Sequence, residues 1–151
     1  MNQTPGVECP FCGFHEPDVT VSASESVQAF ISRSPLNRHH VLIVPRKHYT
    51  RYSELPAPIR DEVFALAQAV SQALATGIGP DGITLVSDDD LKGAGYNLVA
   101  HWKLHLIPRY RDEAIRIDWG RGPDPGLEAR AGYAADIRAA LASLDFGEKP
   151  I

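Results

Sequence analysis

Residues 97–107 read Asn-Leu-Val-Ala-His-Trp-Lys-Leu-His-Leu-Ile and are closed by Pro108. In an extended chain successive side chains point to opposite faces, so residues two apart share a face about 7 Å from one another. One face then carries Leu98, Ala100, Trp102, Leu104 and Leu106, and the other Asn97, Val99, His101, Lys103, His105 and Ile107. A uniformly apolar face must pack against another layer, which predicts a central strand backed by a helix. The opposite face lines up three nitrogen bases on a rigid element, a good platform for a site. A solvated outer sheet face is the bland alternative.

The remaining elements fit around such a strand. Asp18–Val21 alternates and Val27–Ile31 follows a polar Ser22–Ser26 stretch, which together predict a hairpin. A loop at Ser34–Asn37 precedes Val41–Val44, a short apolar run ended by Pro45 and suited to a buried strand. From Ala57 to Thr76, Ile59, Val63, Leu66, Val70 and Leu74 trace one helical face, with Pro58 tolerated in the first turn and Gly77 and Gly79-Pro80 ending the run. Ile83–Val86 predicts another strand, Ser87–Gly95 an acidic, glycine-containing loop, and Leu127–Leu144 a final helix. Residues 119–126 are dense in Gly and Pro and predict a surface loop. The order points to an α+β domain on an antiparallel sheet of about five strands, with one main helix and a C-terminal helix.

Length and charge narrow the function. A chain of 151 residues fits one domain, 1–151, large enough to need no disulfide staple. With 44% hydrophobic and 23% charged residues it belongs to neither the disordered nor the fibrous class. A net charge of -4 argues against a protein that coats nucleic acid. No apolar run approaches the roughly 20 residues of a membrane helix, and Met1-Asn2-Gln3-Thr4 lacks a signal-peptide pattern, so a cytoplasmic protein is expected.

The two cysteines form one C-x-x-C, Cys9-Pro10-Phe11-Cys12. A redox pair would sit at the start of a helix in a βαβ unit, and nothing before Cys9 supplies the strand. A metal knuckle needs two more ligands, for which the chain holds six histidines. Two thiols without special role remain the third reading.

Three motifs in order carry a family resemblance: Cys9-Pro10-Phe11-Cys12; Ser34-Pro35 followed by His40-Val41-Leu42-Ile43-Val44-Pro45-Arg46-Lys47-His48; and His101-Trp102-Lys103-Leu104-His105-Leu106-Ile107-Pro108-Arg109. Together, over residues 9–110, they resemble the histidine-triad (HIT) family of nucleotide hydrolases and transferases, leaving 111–151 as a C-terminal extension. The resemblance implies a HIT-like fold, a homodimer, and a purine nucleotide or similar small molecule as ligand. It implies structural zinc on Cys9, Cys12, His48 and His101, with His15 as a competing ligand three residues after Cys12. It also implies that Phe30, Ser32, His40, Asn97 and His105 face the nucleotide, and that Lys103, His105 and Asn97 occupy the catalytic positions. In such proteins the region after the triad often closes over substrate, which gives Trp119 and its loop a second possible role.

The chain departs from the family at the central triad position, where the nucleophilic histidine is replaced by Lys103. A lysine near its ordinary pKa is almost all ammonium at pH 7, so attack requires burial or nearby cations to depress it by some three units. Three readings stand open: a fixed cation clamping a phosphate, a tuned nucleophile forming a phosphoramidate, or a structural amine in a repurposed fold. Ser32 stands where the family commonly has Asp, and His39 where Gly is frequent. The loop Gly93–Asn97 is one residue longer than usual. Asp88, Asp89 and Asp90 would repel an anionic substrate unless they face solvent. These departures imply a HIT-type enzyme with altered or impaired chemistry, or an inactive binder or interaction domain on the same fold.

Overall fold

The structure is a computed structural model that describes residues 9–115 and 122–144. The chain divides into two compact units, Met1–Arg116 and Ile117–Ile151. The first unit is a five-stranded antiparallel sheet with one helix on it. Its strands are β1 (Thr20–Ala23), β2 (Val27–Ile31), β3 (Val41–Pro45), β4 (Gly82–Val86) and β5 (Leu104–Arg109), in the spatial order β1-β2-β3-β5-β4. Helix α1 covers Ala57–Ala73 and continues as one wide turn over Leu74–Ile78. Gly79, at φ 73°, closes that turn by donating its N–H to Leu74 O at 2.9 Å. A positive φ is what glycine adopts without steric cost, and Pro80 prevents continuation.

Strand alternation divides the sheet into two faces. Val27, Ala29, Val41, Ile43, Leu104 and Leu106 turn toward α1 and meet Val63, Ala67, Val70 and Leu74, with Ile59 and Leu66 at the margin. The helical face expected from the sequence is therefore the face that packs. Phe30, Leu42 and Val44 project from the opposite side and are covered by Phe11 and Phe14. The first strand lies two residues later than expected, because Pro17–Val19 makes a single 3₁₀ turn before Thr20.

The central strand is shorter than the alternation suggests. Only Leu104–Arg109 is paired, and residues 97–103 are irregular. The neighbours run out first: β3 pairs as far as Ile43 opposite Leu104, and β4 ends at Val86 opposite His105. The His101 N–H donates to Val99 O (2.7 Å) and the Trp102 N–H to Tyr49 O (2.6 Å), so neither amide enters the ladder. Leu98, expected to pack under a helix, is 96% exposed, whereas Trp102, Leu104 and Leu106 are buried as expected.

In the second unit, α2 spans Leu127–Ala142 and no residue of it is buried. Asp124 accepts the Gly126 N–H at 2.8 Å just before the helix starts. The expected surface loop 119–126 is irregular from 122 onward, and Trp119 lies outside the described residues. No described helix is long and apolar enough to cross a membrane.

Candidate functional site

Cys9, Cys12, His48 and His101 come together from three places in the chain, with their ligand atoms all within 4.8 Å of one another. Cys9 Sγ lies 3.4 Å from His101 Nδ1, Cys12 Sγ 3.2 Å from His48 Nδ1, and Cys12 Sγ 3.6 Å from His101 Nδ1. Tetrahedral zinc, with Zn–S near 2.3 Å and Zn–N near 2.0 Å, places sulfur and nitrogen ligands roughly 3.5 Å apart. The donor set thus fits a divalent, thiophilic cation. The backing of His101 agrees: the ring is fully buried and its Nε2–H donates to Pro45 O at 2.8 Å. That bond fixes the tautomer and leaves the Nδ1 lone pair aimed at the two sulfurs. Burial, reinforced by Cys9, pushes the Cys12 thiol up to about 11. Two adjacent thiolates are costly unless a cation joins them, and a bound metal reverses that balance. His15 is exposed and not among the four.

A second cluster lies on the outer face of the sheet. The register aligns Phe30 with Leu42 and Leu42 with His105, forming a row across β2, β3 and β5. His40, buried just before β3, places Nε2 3.0 Å from His105 Nδ1. The Leu36 N–H donates to His40 Nδ1 at 3.1 Å, so the proton of His40 must be on Nε2, which donates to His105. His105 then carries its own proton on Nε2. Burial, and secondarily His40 and Lys103, holds His105 down at about 4, and burial also lowers His40. Both shifts favour the neutral rings, and the pair is left with the His105 Nε2–H as its free donor.

Lys103 is 6% exposed. Its ammonium donates to Asn97 Oδ1 and to Val99 O (3.0 Å), and lies 5.4 Å from the centroid of the Phe11 ring. Burial lowers it to about 8, against the opposing pull of Asp88 and Cys9. Two of the three N–H donors thus hold residues 97–99, and Asn97, expected against nucleotide, turns its side-chain oxygen to Lys103. Ser32 donates its N–H to His40 O at 3.0 Å, at the mouth of the β2–β3 loop.

The three aspartates do not share a single solvent-facing role. Asp90 is 5% exposed and accepts the Ala94 and Gly95 N–H groups, both at 2.8 Å. Those amides, the first of them ahead of the others, hold its carboxyl below the usual range. Asp89 accepts the Tyr52 N–H at 3.0 Å, and Asp88 alone is left exposed. Phe11 and Phe14, which cover the outer face, and Tyr110, which anchors His39, have no periodic signal. Only the placement of the two phenylalanines in and beside the C-x-x-C marks them.

A groove of about 530 Å³ lies elsewhere, between α1 and β4, lined by Asp61, Phe64, Gln68, Ser71 and Leu85 among others. None of the residues expected in the site borders it.

Comparison with known proteins places these features in context. Residues 14–112 match the model of the HIT domain. An uncharacterized HIT-like protein of Methanocaldococcus jannaschii is 32% identical over 80% of this chain and 93% of its own length. An adenosine 5'-monophosphoramidase of Schizosaccharomyces pombe is 24% identical over 83% of this chain and 92% of its own. Among solved structures, a HIT family member from Bacillus subtilis aligns with a TM-score of 0.76 at 23% identity, covering 90% of this chain and 96% of that one. A zinc-bound histidine-triad protein from Mycobacterium smegmatis aligns with a TM-score of 0.56 at 26% identity, covering 85% and 87%.

Proposed function

Because this chain belongs to the HIT domain family, we propose that it binds a purine nucleotide on the outer face of its sheet, beside a structural zinc held by Cys9, Cys12, His48 and His101. Its chemistry is that of a HIT nucleotide hydrolase or transferase, acting on dinucleoside polyphosphates or nucleoside phosphoramidates, in which replacement of the histidine nucleophile has impaired turnover. The observation that carries this reading is the juxtaposition of two neutral, tautomer-defined histidines with a buried ammonium two residues away on the same chain segment. Phe30 and His105 are two strands apart, a span of roughly 10 Å that suits a base at one end and a phosphate at the other.

The bonding of Lys103 favours the clamp over the nucleophile. A nucleophile needs its lone pair, whereas two acceptors, Asn97 Oδ1 and Val99 O, stabilise the ammonium form. One donor is left for a phosphate oxygen, and a lysine ammonium performs that role without activation. Zinc, when bound, supplies no reaction step; it anchors the N-terminal knuckle and the segment that carries Lys103. A homodimer fits the edge position of β4 and the exposed Phe64 and Leu85 flanking the α1–β4 groove. A reducing, cytoplasmic setting suits cysteines that bind metal.

The test compares the natural protein with Lys103→His in release of AMP from adenosine 5'-phosphoramidate and diadenosine tetraphosphate. A gain of at least about tenfold, roughly 1.4 kcal/mol of barrier, is expected in the histidine variant. Absence of both turnover and AMP binding in the two proteins would reduce the likeness to one of fold.

A further inference from the structure

The aromatic platform on the outer face is covered by the chain itself. The Phe14 ring stacks on Phe30 with centroids 3.9 Å apart and planes 20° from parallel. Phe11 leans on the same ring at 5.7 Å and 49°, and Phe30 is left 2% exposed. A stack this close leaves no room for another planar group on that side of Phe30. Neither covering ring belongs to the sheet; both come from the Cys9–His15 knuckle.

The two rings are not held alike. Phe11 sits between the cysteines, meets His101 edge-on at 5.8 Å and lies under the Lys103 ammonium. Phe14 follows the second cysteine and is half-exposed. Its backbone is tied by one long bond, from its N–H to Phe11 O at 3.4 Å. Gly13 precedes it with nothing within 4 Å of where a Cβ would stand, so the link between Cys12 and Phe14 turns in open space. The knuckle therefore has a fixed half, ending at Cys12, and a loosely held half that begins at Gly13.

We propose that Phe14 is a gate on the base platform: its ring closes Phe30 in the free protein, and a planar heteroaromatic base gains the platform by exchanging with it. The proposal rests on the nucleotide-binding reading above and adds to it how the site is controlled. One aromatic stack replaces another, so the exchange is close to balanced and is driven by the base. Inorganic phosphate has nothing to exchange and does not move the gate. The apparent affinity for a nucleotide is reduced by the fraction of molecules in which the gate is open.

The experiment is calorimetric titration of the zinc-loaded protein, Phe14→Ala and Phe14→Leu with AMP, and separately with inorganic phosphate, joined to stopped-flow measurement of AMP association. Removing the stacking ring is expected to tighten AMP binding by at least about fivefold and to speed association, with phosphate affinity unchanged. The leucine variant keeps apolar cover if alanine unfolds the knuckle, and is expected to gain at least about twofold. Binding by the variants alone would be the extreme of the same result. If the natural protein binds AMP and both variants bind it equally or more weakly, Phe14 is a wall of the site; the gate falls and the nucleotide reading stands. If none of the three binds AMP, the nucleotide reading fails and takes the gate with it.

Discussion

His39 is a non-glycine residue held at φ +65°. Such a conformation costs of order 1 kcal/mol and persists where surroundings impose it. Here the imposing group is Tyr110, 7% exposed, whose hydroxyl donates to Arg38 O (3.3 Å) and accepts from His39 Nδ1 (2.9 Å). Arg38 closes the arrangement by laying its guanidinium 3.7 Å from the centre of the Tyr110 ring. The backbone turn that delivers His40 to His105 thus depends on a residue that offsets its strain with one hydrogen bond. His39→Gly removes strain and bond together, so its unfolding free energy should stay within about 1 kcal/mol of the natural protein. His39→Ala keeps the strain and loses the bond, and is expected to be less stable than His39→Gly by about 1 kcal/mol in urea titration. Equal stability of the two variants would show that the backbone there is unstrained.

At the scale of elements, His40 just ahead of β3 and His105 on β5 form the histidine pair, and their burial makes the sheet sensitive to acid. His105 is held down at about 4 by burial, then by His40 and Lys103, against roughly 6.5 in an unfolded chain. Between these values the unfolded state binds more protons than the folded one, so stability rises with pH across that window and is lost on acidification from about 6.5 toward 4. Below about 4 this contribution no longer changes. His105→Gln should flatten the dependence in that window relative to the natural protein, read as unfolding midpoints in urea from pH 4 to 7. A slope unchanged by the substitution would assign the acid sensitivity to other groups.

Elements also show what the amino-acid sequence makes legible. The α1 stripe and the β2–β3 pair are encoded in local spacing, and so is the C-x-x-C; His48 and His101 join it in the cluster from distant parts of the chain, and only the family resemblance points to them. The irregular course of residues 97–103 is not, because period-2 alternation also arises in a segment whose side chains bond its own backbone, as Lys103 does to Val99 O. A signal was nonetheless present in the neighbours. Val41–Val44 and Ile83–Val86 are four-residue runs, too short to pair a central strand of eleven. The Asp90 cap is a similar case: three consecutive acids suggest a solvated run, and only the two glycines that follow allow the chain to return its amides to one carboxylate. The Phe14–Phe30 stack joins residues from the knuckle and from β2, a pairing that no local pattern specifies.

For the first unit as a whole, the knuckle is the part least able to hold itself. Its backbone bonds from Cys12 to Cys9 O (3.3 Å) and from Phe14 to Phe11 O (3.4 Å) are long, and it contributes no strand to the sheet. What joins it to the rest is aromatic contact and the four-ligand cluster, so folding and metal binding should be linked. Protein purified without chelator is expected to hold about one zinc per chain by elemental analysis; less than about half would contradict the assignment. A metal present at about a thousandfold over its dissociation constant stabilises by about 4 kcal/mol, which for a unit of this size corresponds to a fall in Tm of roughly 15 °C on chelation. Cys12→Ser provides the control, since it removes a ligand while leaving Phe11 and Phe14 in the chain. If the cluster is the anchor, the variant melts near the chelated natural protein and chelator does not lower it further. If chelator lowers both proteins by the same amount, the metal acts somewhere other than Cys12, and the knuckle is held by its aromatic rings alone.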